Sequence, residues 1–449
     1  MGLDMTINRL PGPTWHWLHV NEASLRGVSA PLEGRLETET PDTIRYYKEE
    51  TLRDFPGREN PCDLSMDAVE KNAAKEEAGI GAAALPTAAI DVTALAQIPT
   101  GLGEDMDALA SKSDAGFHFW EIAPGVKESA PVRLHFSYAG GETVQNRIGI
   151  YAGEDSEITV IMDFRGMAQK EDIIAEKVDL TRSVASACKR ADDYGFSKSS
   201  VLSQSDEANA QRMGKVCETD SSGAGFAAVQ TKICAGKGAK VRLVQIQKLS
   251  DDFTFLNDVG ATCGEGAVIE SIQIVLGGGE TYMGMRTELG AKSSRLESKI
   301  GYLLDQKETL DMNYIAYHTG AKTTSHMDVS GVLRGEAKKL FRGTIDFRNG
   351  SVGAKGDEKE DVLLFSEGVV NRTVPLILCE EEDVEGNHGA TIGRLDEALM
   401  FYLSSRGIEE KDIYEMMARA RIDALCRDIP DPKTQELVQA YLGETDTSR

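Results

Sequence analysis

The sequence lacks the motifs of several common enzyme classes. No glycine-rich stretch has the G-x-x-x-x-G-K-S/T spacing of a phosphate-binding loop, and the three glycines at 277–279 are not followed by a helical pattern. The G-x-S-x-G motif of serine hydrolases and the H-E-x-x-H motif of metalloproteases are also missing. We therefore do not expect the chain to be an ATPase, a hydrolase or a metalloprotease by itself.

Closely spaced cysteines and long apolar runs are also missing. The seven cysteines include no pair with C-x-x-C spacing, which disfavours a zinc site and indicates reduced thiols. They are Cys62, Cys188, Cys217, Cys234, Cys263, Cys379 and Cys426. No window reaches 18 apolar residues, and no apolar stretch follows the charged residues near the N-terminus. We expect neither a membrane span nor a secretory signal, and hence a cytoplasmic protein.

Positive charge is in short supply. The formal net charge is −24 and the sequence pI is about 4.8. A surface of this sign repels nucleic acid and anionic membranes, so neither is expected as a partner. At 449 residues, the chain is too long for one compact core and favours two or three domains.

The first part of the chain, residues 1–114, is predicted to be α-rich. Helical patterns cover residues 44–54 and 65–77, and an Ala/Gly-rich stretch at 79–89 is typical of a linker. Trp15 and Trp17 follow a Pro-Gly-Pro break, and we expect them to fasten this segment onto the body of the protein.

The middle of the chain, residues 115–378, is predicted to be a β-solenoid. Short strands separated by glycine turns recur, among them 309–318 and 324–333. A Gly-Ala step recurs every 24 to 33 residues or so, and it stands at 238, 266, 290, 320 and 353. A unit that repeats at this period without intervening helices favours a parallel β-helix. A polar segment at about 163–222 interrupts the pattern as an insertion.

The last part, residues 379–449, is predicted to be a helical domain. Helical patterns cover 397–406, 410–427 and 433–442, and Asp396 is suited to cap the first of them. Ile413, Met416 and Met417 belong to an apolar stripe on the second helix. Such a stripe indicates either folding onto the protein's own body or a docking surface for a partner.

Three stretches, two near the C-terminus and one near the N-terminus, resemble one known family. Residues 388–396 read HGATIGRLD and residues 400–408 read MFYLSSRGI, while residues 8–22 read NRLPGPTWHWLHVNE. Together they resemble the SufB/SufD family, the scaffold proteins of the SUF iron–sulfur cluster assembly system, and the SufD side of that family in particular. The resemblance implies a mainly β protein, a right-handed parallel β-helix flanked by N-terminal and C-terminal helical regions.

The resemblance also implies partners and a site. A SufB-like protein, or a second copy of this chain, would pair with it, and a SufC-type ATPase would dock on the C-terminal helices at Arg406, Ile413 and Met417. His388 would face the partner where a nascent iron–sulfur cluster forms, and Cys379 is a second candidate ligand for iron. The chain itself would be a scaffold without a nucleotide site and without catalytic residues.

Some positions depart from the family pattern, so alternatives stay open. Gly386 stands where many SufD proteins have cysteine, Gly389 where SufB proteins have glutamate, and the essential SufB cysteine position falls near Glu360. His388 could simply pack at a β-to-α junction, and Cys379 could be an inert core thiol. The rival readings are a SufB-like homodimeric scaffold, a structural solenoid, or a β-helix carbohydrate-active enzyme. The last would use a groove near His318 and His326.

Overall fold

Two long sheets face each other along most of the chain. A computed structural model describes residues 2–12, 20–48, 95–113, 115–167 and 224–447. The N-terminal strands are β1 (Leu3–Ile7), β2 (Ala23–Val28), β3 (Leu32–Glu33), β4 (Arg35–Glu39) and β5 (Arg45–Lys48). The strands that follow are β6 (Phe117–Ile122), β7 (Val132–Ala139), β8 (Thr143–Ala152), β9 (Glu157–Met167), β10 (Gly225–Ala235), β11 (Lys240–Lys248), β12 (Phe253–Cys263), β13 (Val268–Val275), β14 (Glu280–Leu289), β15 (Arg295–Leu304), β16 (Thr309–His318), β17 (Thr324–Leu333), β18 (Lys338–Phe347), β19 (Ala354–Leu364), β20 (Val370–Cys379) and β21 (Val384–Gly393).

Strands β6 to β21 form a parallel β-solenoid of about eight turns. The even-numbered strands β6 to β20 lie side by side in one sheet, called sheet 1, and the odd-numbered strands β7 to β21 form sheet 2. Each turn therefore contributes one strand to each sheet, and neighbouring turns pair in parallel without a break in register from β10 to β21. The predicted parallel β-helix is confirmed.

Side-chain alternation and the corners explain why this sequence coils. Inward-pointing residues of successive turns stack on one another, as Met283, Met312 and Phe341 do in sheet 1. At six corners that lead from sheet 1 to sheet 2, a residue adopts a left-handed conformation. These residues are Asp155, Gly238, Gly266, Ser293, Lys322 and Gly353. Three of the Gly-Ala steps, at 238, 266 and 353, place their glycine at this corner and their alanine in the core.

The N-terminal strands cover the first turn of the solenoid. β4 pairs antiparallel with β7, and β5 pairs antiparallel with β6. The described part of residues 1–114 therefore differs from the α-rich prediction, and residues 45–48 form a strand where a helix was predicted. Tyr46 and Tyr47 pair across to Trp120 and Phe119, and this tertiary pairing outweighs local helical preference. Trp15, Trp17, the predicted helix at 65–77 and the predicted linker at 79–89 lie outside the described residues.

A hairpin and a short helix pack on the outer face of sheet 1. β1 and β2 pair antiparallel, and helix α1 (Glu104–Ser111) lies beside them. Their apolar side chains, including Ile7 and Met106, bury against Ala228 and Leu256 of sheet 1. Buried polar groups fix the same contact, because Asp258 accepts a 2.9 Å hydrogen bond from the backbone N–H of Leu102.

The C-terminal helices cover sheet 2. Helix α2 (Glu397–Ser405) leads into α3 (Glu410–Cys426) and α4 (Pro432–Thr447). Ile422 and Cys426 of α3 and Tyr441 of α4 pack against Val244 and Ile274 on the outer face of sheet 2. The three predicted C-terminal helices are thus present, and among the described residues no helix combines the length and apolar character needed to span a membrane.

The solenoid continues beyond the predicted boundary at residue 378. β20 ends at Cys379, and β21 adds another strand up to Gly393, so residues 384–393 belong to the solenoid. Strand β21 was not predicted because its inward positions are not a run of apolar residues. No further turn of the solenoid buries these positions, so they need not be apolar. The predicted insertion at 163–222 starts later than expected, since β9 runs to Met167, and residues 168–223 lie outside the described ranges.

Candidate functional site

The two ends of the solenoid are unlike. The first turn is covered by β4 and β5, whereas β20 and β21 each pair with only one neighbouring strand in the described residues. We call the last turn the open end and define it by its inward-pointing residues. Strand register and alternation identify these as Asn371, Thr373, Pro375, Ile377 and Cys379 on β20 and Val384, Gly386, His388, Ala390 and Ile392 on β21. Ile377 and Ile392 are among the exposed large apolar side chains of the protein.

His388 lies at the open end directly above a buried carboxylate. Register pairs it with Glu358 on β19, one turn further inside. Nδ1 of His388 is 3.3 Å from Oε1 of Glu358, and the side chains are 27% and 2% exposed respectively. One imidazole edge therefore faces the solenoid interior, and the other edge is accessible from the open end. The histidine does not stand at the β-to-α junction, because β21 continues for five further residues, to Gly393.

Glu358 is held in an environment that disfavours its charge. Burial raises the pKa of Glu358 to about 8, and the nearby negative charge of Glu360 adds to the effect. Oε1 of Glu358 makes no hydrogen bond to any of the described residues. A buried carboxylate with an unused acceptor is costly, so its presence beside an imidazole at an exposed end indicates a use for it.

Glu360 lies two residues along the same strand and is fully neutralised. Lys339 of β18 forms an ion pair with Glu360, and neither side chain has exposed surface. Thr373 of β20 donates a 2.6 Å hydrogen bond to Oε2 of Glu360, and the Lys339 Nζ donates to the Thr373 hydroxyl at 3.1 Å. Burial lowers the pKa of Lys339, while the charge of Glu360 opposes this shift. The two inward-facing carboxylates of β19 thus differ, since Glu360 forms an ion pair with a lysine and Glu358 does not.

Cys379, the second predicted iron ligand, is exposed at the open end but stands apart from His388. Ile377, two residues before Cys379, faces Gly386, where a Cβ atom would lie 2.9 Å from Cγ2 of Ile377. Continuing this pairing places Cys379 opposite Val384, which is four residues from His388, or about 13 Å along a strand. Among the described residues, no group of three or more His, Cys, Asp or Glu side chains is placed to hold a metal ion.

The predicted partner-binding residues differ in their exposure to solvent. Arg406 is exposed at the end of α2, and its guanidinium lies 5.2 Å from the ring centroid of Tyr402. Ile413 is fully buried within the protein, and Met417 is half-buried against the cluster around Val332 and Leu363. In this structure, Ile413 and Met417 of the apolar stripe on α3 therefore pack on the protein's own body, whereas Met416 is exposed.

Among the C-terminal helices, α2 has the most exposed apolar side chains in the part of the chain that the structure describes. No residue of this helix is buried, and Phe401 is 76% exposed, with Leu399 and Tyr402 also exposed. A helix with this much apolar surface in solvent is typical of an interaction site. The uninterrupted run Leu399-Met400-Phe401-Tyr402-Leu403 is the sequence signal that would have identified it.

The histidines of the rival groove do not come together. His318 points into the solenoid, where its two nitrogens meet the hydroxyls of Thr323 and Ser325, and burial lowers its pKa to about 4. His326 lies on the outer face of sheet 2 between Asp328 and Asp357. The two histidines thus face different environments and share no groove, which removes the main support for a carbohydrate-active site.

Sequence reasoning missed the groups beneath His388. Glu358, Glu360 and Lys339 are the interior partners of the open end, and the sequence analysis assigned no strand to residues 354–364. The signal was present but polar, because Gly356, Glu358, Glu360 and Val362 occupy alternate positions and share the inward face.

Comparison with known proteins gives a consistent result. The family model described as SUF system FeS cluster assembly, SufBD core domain, matches residues 190–421. The iron–sulfur cluster assembly protein SufD of Bacillus subtilis is 24% identical over 201 residues, which are 44% of this chain and 46% of that protein. SufD of Escherichia coli is 26% identical over 180 residues, 40% of this chain and 43% of that protein.

A SufBD family protein of Mycobacterium tuberculosis is also similar. It is 26% identical over 199 residues, which are 44% of this chain and 24% of the longer mycobacterial protein. The matched region spans less than half the length of each of these three relatives.

Proposed function

Because the chain belongs to the SufBD core family of the SUF iron–sulfur cluster assembly system, we propose that it is a SufD-like scaffold subunit. Its open end would form part of the surface on which a nascent cluster is assembled. The observation that carries this proposal is the position of His388, whose imidazole stands at the exposed end of the solenoid above a buried carboxylate. Iron and sulfide are the cargo of this process, and the chain would supply a ligand and a shape without turning over a substrate.

The open end also supports pairing with another solenoid. Unpaired strand edges are templates for strands of a second chain, and natural proteins normally cover them. Here β20 and β21 are uncovered in the described residues, and Ile377 and Ile392 add apolar surface beside them. The occupant we propose is the corresponding end of a SufB-like protein. A second copy of this chain in the same place is the alternative.

Helix α2 is the proposed docking site for a SufC-type ATPase. Its exposed Phe401 and Tyr402, followed by the exposed Arg406, have the composition of an interface hot spot. This revises the expected docking residues, because Ile413 is buried and is not available without a change in α3. Any nucleotide hydrolysis would belong to that partner.

The helices are coupled to the strands that carry the site. Arg421 of α3 forms a 2.6 Å ion pair with Asp361 of β19, and Glu415 of α3 pairs with Arg334 beside β17. A partner that pulls on α2 and α3 during its ATP cycle would therefore act on β19 and, through Glu358, on His388. In this way movement at the helices would open or close the cluster site at the open end.

The chemistry at the site would rest on the imidazole. Imidazole nitrogen is a known ligand for iron and iron–sulfur centres, and Cys379 would offer a thiolate at a separate point of the same surface. The remaining ligands would come from the partner, sulfide or solvent.

The test is complex formation with a SufB-type and a SufC-type partner. We expect the wild-type chain to co-purify with both, and Ile392→Lys to abolish pairing with the SufB-type partner because it places a charge on the apolar open end. Leu32→Lys is the matched control, since Leu32 is also exposed but lies at the opposite end of the solenoid. Equal pairing of both variants would contradict the proposed interface, and pairing with a second copy alone would favour the homodimer.

A further inference from the structure

Glu358 is a buried acid without a cation of its own. The buried cation of the neighbouring strand, Lys339, forms its ion pair and hydrogen bonds with Glu360, Thr373 and the backbone of Arg372. Among the described residues, the basic group within ion-pair distance of Glu358 is His388. A buried carboxylate that lacks a partner charge is strongly unfavourable. The interaction between Glu358 and His388 must therefore account for the presence of this buried acid.

Room for this carboxylate is built into the turn. Gly343 of β18 lies across the interior from Glu358, and a Cβ atom at this position would overlap the Glu358 carboxylate. Any larger residue at 343 would push the carboxylate away from its place. The missing side chain at Gly343 thus leaves space for the Glu358 carboxylate. The strand register places this carboxylate beneath the His388 imidazole.

The arrangement sets which imidazole nitrogen is available. Nδ1 faces Oε1 of Glu358 at 3.3 Å, so Nε2, on the other side of the ring, is directed away from the interior. In this structure the 3.3 Å approach is an ion-pair contact without hydrogen-bond geometry. We propose that Glu358 is a positioning residue that, after a small rotation of the ring, accepts the Nδ1–H of His388 and so presents the Nε2 lone pair at the open end as a ligand for iron. This assignment rests on the proposed function, which makes His388 a ligand.

Metal binding by an imidazole calls for a hydrogen-bond acceptor at its second nitrogen. An imidazole that binds a metal through one nitrogen carries its proton on the other, and a carboxylate that accepts this proton fixes the ring and strengthens the ligand. The metal's positive charge would in turn offset the buried charge of Glu358. A direct metal–carboxylate bond is disfavoured here, because Glu358 is 2% exposed and lies behind the imidazole.

The tautomer of His388 is the direct readout. In the full chain labelled with ¹⁵N-histidine, we expect at pH 9 that His388 carries its proton on Nδ1, with Nε2 unprotonated. In Glu358→Leu the proton should move to Nε2, because no acceptor remains beside Nδ1. A merely structural role for Glu358 would change stability but not the tautomer. His388→Asn identifies the signals, since they disappear in that variant.

Two further variants complete the design. Asp357→Asn removes one negative charge from the neighbouring, outward-facing position, which pairs with His326, and should leave the His388 tautomer unchanged. Gly343→Ala keeps Glu358 but displaces its carboxylate, so it should shift His388 toward the Nε2–H form, and it serves as the test if Glu358→Leu does not fold.

The outcomes separate this proposal from the proposed function. The same tautomer in wild type, Glu358→Leu and Gly343→Ala would overturn the positioning role, whatever the cluster content of the complex. If the tautomer moves as expected, we also expect Glu358→Leu to lower the iron content of the anaerobic complex several-fold, as we expect for His388→Ala. Cluster content that is insensitive to His388→Ala would instead overturn the ligand role of His388.

Discussion

Lys339 and Glu360 form an ion pair inside the solenoid, one turn from its open end, and neither side chain has exposed surface. The pair is completed by Thr373, whose hydroxyl donates to Glu360. Because Glu360 is neutralised in this way, it is unavailable as a ligand, although it lies near the position at which SufB proteins are expected to have cysteine. The neighbouring Glu358 is left to interact with His388.

Removing the cation of this pair should destabilise the last turns. Lys339→Met leaves Glu360 buried and unpaired, and loss of one partner of a buried ion pair costs about 3–5 kcal/mol. We expect the free energy of unfolding to fall by that amount in urea titrations monitored by circular dichroism.

A double variant is the control. Lys339→Met together with Glu360→Met replaces both charges by apolar groups, and such replacements are often neutral. The double variant should therefore recover most of the lost stability. A double variant as unstable as Lys339→Met alone would show that the two residues do not act as a pair.

The exposed helix α2 should be separable from the buried helix α3 by mutation. Phe401→Ser removes an exposed ring, so the melting temperature should stay at the wild-type value while affinity for the SufC-type partner falls about tenfold or more. Calorimetric titration and thermal unfolding of the same preparations measure the two effects.

Ile413→Ala is the matched comparison for α2. Because Ile413 is fully buried, truncation should cost roughly 2–5 kcal/mol of folding stability. If Phe401→Ser binds the partner as tightly as wild type, α2 is not the docking site.

The packing of α4 on the solenoid should weaken at acid pH. Arg133 donates two hydrogen bonds, of 2.8 and 2.7 Å, to the carboxylate of Asp431, which precedes α4. These bonds lower the pKa of Asp431 to about 2, helped by the hydrogen bonds from Thr434. The folded pKa lies below the ordinary value of 3.8, so the stabilisation is present above that value and is lost as pH falls through about 2.

Asp431→Asn should reproduce this loss at neutral pH. We expect unfolding to become easier by about 1.5–3 kcal/mol at pH 7, the range for hydrogen bonds to charged groups. The difference from wild type should shrink between pH 4 and pH 2 in parallel urea titrations. A difference that stays constant over this range would rule out ionised Asp431 as its source.

Asp258, under the N-terminal hairpin and α1, should have the opposite pH dependence. Burial raises its pKa to about 6, so the folded state binds this proton more tightly than the unfolded state. Its contribution becomes less favourable as pH rises, by about 1–2 kcal/mol between pH 5 and pH 8. Asp258→Asn should remove this dependence, measured as urea midpoints of both proteins across that range. Parallel pH profiles of the two proteins would contradict the assignment.

The sequence predicted the middle of the solenoid well because its inward positions are apolar. β16 and β17 have the bounds predicted for them, 309–318 and 324–333. β19 and β21 escaped prediction because their inward residues include Glu358, Glu360, Gly386 and His388, so no apolar alternation is present. The polar inward residues that kept these strands from being predicted also form the candidate site.

Only part of the candidate site could be predicted from the sequence. His388 came from a resemblance between motifs, but Glu358 and Lys339 come from other strands and meet it only through register. Likewise, the pattern of α3 could not reveal which of its apolar residues pack on sheet 2, because docking depends on the outer face that sheet 2 presents. The exposure of α2 is a tertiary property of the same kind.

The most direct measurement is the iron and acid-labile sulfide content of the complex. We would co-express the chain with its SufB-type and SufC-type partners, purify the assembly without oxygen, and compare wild type, His388→Ala and His326→Ala. We expect intact complexes throughout, with iron and sulfide reduced several-fold only in His388→Ala. An intact His388→Ala complex with the wild-type content of iron and sulfide would contradict the assignment of His388 to the cluster site.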